Sequence, residues 1–375
     1  MGDSQLADTV LDVNFIRPGS LDLTPRNHGE EPQWADDEVR RIEISLGLCG
    51  HPLVLNVRRF IPGIGDATAR NWIRPDGVTH VQTPLAPYAV DNIDDARETI
   101  KAYINDNCLC FAEVVRNSHP AVITVYARTG DYVRELRDVA TGATADDTDK
   151  ELLELVERYC RVWWGIRNMM GSSWLIGDEM LGMKPVYDDG YPLQGKVSCP
   201  RQVVQTAGCL LSQAIRPCQA LFLEAMREAL DPARGREFGE RAFFTVFLVT
   251  FIVLHEAEDT NKDRERYARQ NFKTEKFSMP SYIKDLHESV RRLVHYWLIF
   301  AKNLGVDFST KQTLEASLGF LDKAKRDLVV SNYDEIVSRT SPSVCASPST
   351  WLQDLCFVTH MFDVPWDANA FYQGE

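Results

Sequence analysis

The sequence lacks the features that mark membrane-spanning and secreted proteins. Its longest apolar stretch, residues 242–254, is well short of the roughly 20 residues that a bilayer span needs. Residues 1–8 carry acids and no basic lead-in to an apolar core, so we expect no secretory signal. These absences predict no membrane partner and a cytoplasmic location, with the nucleus as the other compartment that fits.

The sequence also lacks any Cys-x-x-Cys couple. Its nine cysteines are an odd number and are scattered along the chain, which suits a reducing compartment better than a disulfide framework. Cys108 and Cys110 are the only close pair, and no second couple exists to complete a tetrahedral zinc site. We therefore assign no metal and no cofactor.

Positive charge is in short supply. Lys and Arg total 41 against 54 Asp and Glu, which gives a formal net charge of −13. This charge excludes binding of nucleic acid through the overall charge of the protein, so any contact with nucleic acid must use a local basic patch. Basic residues are in excess only over residues 262–276, where a solvated helix face is the commoner explanation.

Familiar catalytic motifs are missing as well. We find no Gly-x-Ser-x-Gly elbow and no phosphate-binding P-loop, and His255-Glu256 lacks the second histidine of a zinc protease. Gly63-Ile-Gly65 could be read as a dinucleotide-binding turn, but Pro62 interrupts it and no acid follows at the required distance. We expect an ordinary turn there. Four tryptophans at helical spacing are expected to pack in the core: Trp163, Trp164, Trp174 and Trp297.

What the sequence does contain is the composition of a soluble globular protein. The chain has 375 residues, of which 44% are hydrophobic and 25% charged. We predict a mainly α protein in which a small mixed α/β N-terminal region precedes a large helical domain. The predicted parts are a loosely ordered segment (1–33), a mixed α/β region (34–145) and a helical domain (146–375). A linker of small and acidic residues near 143–149 separates the last two parts.

Hydrophobic periodicity predicts the individual elements. In the mixed region we predict helices over 36–44 and 91–104, an extended segment over 53–57 and a β-rich segment over 121–127. In the helical region we predict one long helix that ends at Gly171 and further helices over 202–230, 240–270 and 282–304.

The sharpest candidate for chemistry is the motif Asp94-Asp95-x-x-Glu98 at the start of a predicted helix. At about 100° per residue, the three acids fall on the arc opposite the apolar stripe of that helix. Such a cluster can bind a guanidinium or ammonium group, or can raise the pKa of one member toward neutrality. The alternative is a solvated helix start, because first-turn acids complement the helix dipole and Asp91 is a good N-cap.

Two family resemblances compete. Five segments resemble the helical C-terminal region of fungal binuclear-zinc-cluster transcription regulators: 175–186, 243–255, 267–269, 276–281 and 358–366. That resemblance covers about half of the chain. The six closely spaced cysteines of the zinc cluster are absent, so direct DNA reading through that module is not available. A regulator of this kind would need another protein as its DNA-binding partner.

The second resemblance is to the fungal arginine-containing cyclodipeptide synthases, whose hallmark motif is matched by Asp94, Asp95 and Glu98. It implies a cytoplasmic, cofactor-free aminoacyltransferase for secondary-metabolite biosynthesis. Such an enzyme joins an arginyl group and a second aminoacyl group from charged tRNAs into a cyclo(Arg-Xaa) diketopiperazine. On this resemblance the three acids are the catalytic residues.

We take the synthase as the leading prediction, mainly on this resemblance and because the acid cluster lies in the mixed α/β region. The chemistry fits the residues, since aminoacyl esters are already activated and need only positioning and proton transfer. The alternative is a non-catalytic, regulator-like helical interaction protein without a zinc-cluster module. The individual roles of the three acids, the second amino acid, the tRNA-binding surface and the oligomeric state are left open.

Overall fold

The structure is a computed structural model that describes residues 32–170, 172–270, 280–337 and 355–362. These residues fall into two compact units. The sheet unit comprises residues 32–114, 160–170 and 172–219, and the helical unit comprises 115–159, 220–270, 280–337 and 355–362. Strands concentrate near the N-terminus and helices follow, which confirms the prediction of a mainly α fold with a mixed N-terminal region. The exact domain boundaries stay a prediction.

The sheet unit is built on an antiparallel sheet of five strands in the order β5-β2-β1-β6-β7, beside a two-stranded hairpin of β3 and β4. The strands are β1 (Trp34–Ser45), β2 (Leu53–Phe60), β3 (Ala69–Ile73), β4 (His80–Pro84), β5 (Tyr88–Val90), β6 (Trp174–Ile176) and β7 (Val197–Ser198). The predicted extended segment over 53–57 is confirmed as part of β2.

The helix predicted over 36–44 is wrong, because these residues belong to strand β1. Ile42 and Ile44 are buried while Glu43 between them is partly exposed, which is the two-residue period of a strand. Ile42 pairs with Leu55, and Ile44 pairs with Leu53, across the hairpin. The acids at the start of β1 resemble those of a helical first turn, which explains the error.

Two helices follow β5, α1 (Ile93–Asn107) and the short α2 (Phe111–Val114). The prediction of a helix over 91–104 is confirmed apart from its ends. The N-cap is Asn92 rather than Asp91, since the Asn92 side chain accepts hydrogen bonds from the N–H groups of Asp94 and Asp95.

The β-rich segment predicted over 121–127 is also wrong. These residues lie in α3 (Pro120–Thr141), which has proline in its first turn and His119 as its N-cap. Val122, Val125 and Tyr126 are all fully buried. Their spacing of three and four residues fits one face of a helix, so packing outweighs the β propensity of the valines.

Two long helices continue the chain, α4 (Asp147–Met170) and α5 (Arg201–Ala229). Both agree with the sequence prediction within a few residues. In the sheet unit, an ideal Cβ placed on Gly165 of α4 would lie 2.3 Å from Cγ2 of Ile215 in α5. The two helices therefore approach so closely that only glycine fits at this position.

The helical unit also contains α6 (Arg236–Gln270), α7 (Pro280–Asn303), α8 (Lys311–Ser317), α9 (Lys323–Val337) and the 3-10 segments Pro232–Arg234 and Val358–Phe362. The predicted helices over 240–270 and 282–304 are confirmed. By length and composition alone, Arg236–Arg266 could cross a membrane, but 83% of its most apolar window is buried inside the protein. That burial is typical of the core helix of a soluble protein.

A buried carboxyl group anchors the segment 355–362 in the helical unit. Glu258 of α6 is fully buried and accepts hydrogen bonds from the N–H groups of Leu355 (2.9 Å), Phe357 (2.5 Å) and Val358 (3.0 Å). The Trp297 ring N–H of α7 donates to the Met361 carbonyl at 2.8 Å. Two helices of the core thus hold this segment by hydrogen bonds as well as by apolar packing.

Candidate functional site

The structure places the predicted acid triad on the exposed start of α1. The side chains of Asp94 and Glu98 are 84% and 71% exposed, and Asp95 is exposed too. Asp94 forms an ion pair with Arg97, and Glu98 lies 2.7 Å from the Lys101 ammonium. The three acids share the first turns of one helix, as the spacing predicts. Their assignment as functional residues stays a prediction.

Neutralising the triad should hardly change the stability of the fold. We expect the combined variant Asp94→Asn, Asp95→Asn, Glu98→Gln to melt within about 4 °C of the wild type, because exposed first-turn acids contribute only small dipole and ion-pair energies. Thermal unfolding followed by circular dichroism is the measurement. A larger drop would show that the triad holds the helix start in place.

The glycine turn and the tryptophans singled out in the sequence lie at positions typical of structural residues. Gly65 lies in an exposed turn with a positive φ, and the Gly63 N–H donates to the Asp66 carboxylate at 2.7 Å. Trp163, Trp164 and Trp297 are fully buried, as predicted, whereas Trp174 is only partly buried.

A buried polar cluster lies in the helical unit where α3 meets α6. The Tyr126 hydroxyl is 2.9 Å from His255 Nδ1 and donates to Glu256 at 3.1 Å. His255, Glu256 and Asp259 also have atoms close enough together to hold a metal ion. His255 and Glu256 are almost completely buried, so the hydrogen bond to Tyr126 satisfies polar groups that water does not reach.

A second polar group surrounds Ser198 in the sheet unit. The guanidinium of Arg70, on β3, donates to the Ser172 hydroxyl at 3.0 Å and reaches the Ser198 hydroxyl at 3.5 Å. It also lies over the Tyr191 ring. Burial lowers the pKa of Arg70, and the like charge of Arg201 lowers it further.

Three more cations belong to this group. Lys184 lines a hollow of about 370 Å³ together with Ser198 and Tyr191. Lys196 lies over the Trp174 ring, 3.2 Å from its centroid. We define the Ser198 patch as the four cations Arg70, Lys184, Lys196 and Arg201.

Among the described residues, no carboxylate lies within ion-pair distance of any cation in the Ser198 patch. Nearby Arg74 differs, since it pairs with Asp188 at 2.7 Å. A partly buried cation without a carboxylate loses hydration that hydroxyl groups only partly replace. In a chain with a net charge of −13, the patch is therefore a local site that favours an anion.

The sequence predicted basic character elsewhere, over residues 262–276, of which 271–276 lie outside the described residues. Within the described part, Arg264 is buried beside the Tyr282 ring, and Arg266 pairs with Asp263. The Ser198 patch escaped sequence reasoning because Arg70 and Ser198 are 128 residues apart. No local run of charge reveals it.

Comparison with known proteins decides between the two predicted functions. No curated protein and no solved structure matches the chain. The family described as KpeA transcription factor matches residues 27–316, which is well over half of the chain.

That match overturns the leading prediction. The cyclodipeptide-synthase resemblance, the aminoacyltransferase activity, the diketopiperazine product and the charged-tRNA partners are all wrong, because one short acidic motif carried them. The regulator-like alternative agrees with the match. A transcription factor is a protein of the nucleus or the cytoplasm, which agrees with the broader compartment prediction. The chain belongs to the KpeA transcription factor family.

Proposed function

We propose that this protein regulates transcription in the nucleus and contacts the phosphate backbone of DNA through the Ser198 patch. The family match over residues 27–316 carries the regulatory role. The DNA contact rests on four cations that lack carboxylate partners within the described residues. Phosphate groups are the anions that a DNA-binding protein meets most often.

The chemistry of the patch suits backbone contact better than base reading. Arg70 is half-buried and fixed by two serine hydroxyls, so its position is defined before an anion arrives. Lys184 and Arg201 are exposed and can reach outward. Arginine and lysine on phosphate oxygens set register and affinity without reading sequence. Sequence preference would then come from other parts of the protein or from a partner.

Chromatin occupancy tests the regulatory role. The tagged full-length chain should crosslink to promoter fragments in cells that express it. Deletion of its gene should change the transcript levels of the genes that those promoters control. Absence of both effects would contradict the proposed function, whatever the patch does.

Binding to a recovered promoter duplex tests the patch. We expect the purified chain to bind with a slope of log K against log salt of about −3 to −4, since each phosphate contact contributes about −0.9. Lys184→Ala and Arg201→Ala should each lower the magnitude of that slope by about 0.9 and weaken binding to all duplexes alike. Fluorescence anisotropy over a salt series is the measurement.

Arg74→Ala is the matched control, because Arg74 directly follows the strand that carries Arg70 but pairs with Asp188. It should leave the salt slope unchanged. Promoter occupancy in cells without direct binding by the purified chain, or equal slopes in all variants, would contradict the DNA contact. It would favour recruitment by a protein partner, which the acidic net charge of −13 also suits.

A further inference from the structure

Three side chains with metal-binding atoms converge in the sheet unit, outside the Ser198 patch. Cys49 and His51 come from the loop between β1 and β2, and Cys110 comes from the turn after α1. One ligand atom from each lies within 4.8 Å of the others. The Asn107 side-chain oxygen lies among them, 3.1 Å from His51 Nδ1, 3.8 Å from Cys49 Sγ and 3.9 Å from Cys110 Sγ.

These distances match the edges of a small tetrahedron. With bonds of about 2.3 Å to sulfur and about 2.0–2.1 Å to nitrogen and oxygen, a tetrahedral zinc ion keeps its ligand atoms about 3.3–3.8 Å apart. The three distances from the Asn107 oxygen differ from the corresponding edges by no more than about 0.3 Å. The ligand atoms of Cys49, His51 and Cys110 lie within 4.8 Å of one another, so zinc binding would shorten these three edges by up to about 1.3 Å through side-chain rotation.

We propose that Cys49, His51 and Cys110 bind one zinc ion, with the Asn107 side-chain oxygen at the fourth position. Two thiolates and a neutral imidazole are a donor set that selects zinc over magnesium or calcium. The two thiol protons leave to solvent as the two zinc–sulfur bonds form, so no oxidant or reductant takes part. The two thiolate charges balance the charge of the ion.

The surrounding residues hold the ligands in place. The Asn107 amide nitrogen donates to the Tyr103 carbonyl at 2.9 Å, which directs the amide oxygen toward the three ligands. The Tyr103 hydroxyl donates to the His51 carbonyl at 3.3 Å and lies 3.8 Å from Cys49 Sγ. Such outer contacts fix ligand orientation in metal sites. His51 is exposed, so an ion can enter from solvent.

The site would join the β1–β2 loop to the end of α1. Zinc bound here would link these two segments and so strengthen the packing of α1 on the sheet. The fourth position is the exchangeable one, because an amide oxygen is a weaker zinc ligand than thiolate or imidazole. This inference is independent of the DNA contact proposed for the Ser198 patch.

Zinc content and affinity test the proposal. We expect the full-length protein, purified in reductant without a chelating tag, to hold one zinc per chain by mass spectrometry of the metal. Titration against a chromophoric chelator should show that Cys49→Ser and Cys110→Ser weaken zinc binding by more than about 100-fold, the upper range for losing an outer-shell partner. Cobalt in place of zinc should give the visible spectrum of tetrahedral thiolate coordination.

Two further variants keep the test decisive. Cys218→Ser changes a half-buried cysteine of α5 and should leave zinc binding unchanged. Asn107→Ala keeps both thiols and removes the fourth ligand, so it should weaken zinc binding by about 10-fold even if a serine variant fails to fold. Zinc content no higher than in the serine variants, equal loss in Cys218→Ser, unchanged binding by Asn107→Ala, or a Cys49–Cys110 disulfide in reductant would each overturn the proposal.

Discussion

Replacing Glu258 with alanine is expected to lower the free energy of unfolding by about 5 kcal/mol and to release the segment 355–362. The carboxyl group is fully buried and accepts hydrogen bonds from three backbone N–H groups of that segment. Each buried donor left without an acceptor costs about 1–3 kcal/mol. Urea unfolding measures the loss of stability, and hydrogen exchange of the segment measures its release.

Glu240→Ala is the control on the same helix. Glu240 is partly exposed and pairs with Arg236 at 2.8 Å, so its removal should cost less than about 1 kcal/mol. If the two variants were equally stable, Glu258 would not anchor the segment.

The Glu258→Gln variant adds a test by pH. Burial raises the pKa of Glu258 from 4.5 to about 8, against the lowering effect of the Val358 and Phe357 N–H groups. The folded state therefore holds a proton that the unfolded state releases between these two pH values. The resulting stabilisation is complete below pH 4.5 and is lost as pH rises toward 8, at up to about 1.4 kcal/mol per unit. In Glu258→Gln this decrease of stability with rising pH should be absent. An unchanged pH profile of stability would contradict the assignment of the effect to Glu258.

Gly165→Ala is expected to destabilise the sheet unit by about 1–3 kcal/mol, although alanine is the better helix former. The new Cβ would lie 2.3 Å from Cγ2 and 3.4 Å from Cβ of Ile215, whose position the α5 backbone fixes. Helices α4 and α5 would have to move apart where both residues are buried. Urea unfolding of the variant and the wild type gives the difference.

Gly208→Ala is the matched control, because Gly208 is also helical but has no atom within 4 Å of an added Cβ. It should stabilise the protein by about 0.5–1 kcal/mol. Ile215→Ala should make Gly165→Ala less harmful than it is in the wild type, since the clashing methyl groups are gone. Equal effects at both glycines would contradict a tight contact between the helices.

The sequence predicted the long elements correctly and failed where two periods compete. Helix α6 contains a long apolar run that is buried on all sides, and α7 has a regular burial period, so both were located within a few residues. Strand β1 was mistaken for a helix because its first half is acidic and only its second half alternates. Helix α3 was mistaken for a strand because β-branched residues occupy its buried face.

The candidate sites were hidden for a different reason. The Ser198 patch joins Arg70 to residues of the loops around β7 and the start of α5. The proposed zinc site joins a hairpin loop to the turn after α1. Neither has the short, regular spacing on which motif recognition depends, whereas Asp94, Asp95 and Glu98 have such spacing and lie exposed on one helix.

Composition and periodicity by themselves determined that this is an acidic, mainly α protein whose most apolar segment is a buried helix. These properties depend on averages over many residues and on contacts within one element, which the linear sequence contains. Only the tertiary structure decided which cations lack acidic partners within the part of the chain that it describes, which thiols lie near a histidine and which carboxyl group is buried in the core. Each of those outcomes depends on chain segments that are distant in sequence, and only folding brings their side chains within a few ångströms of one another.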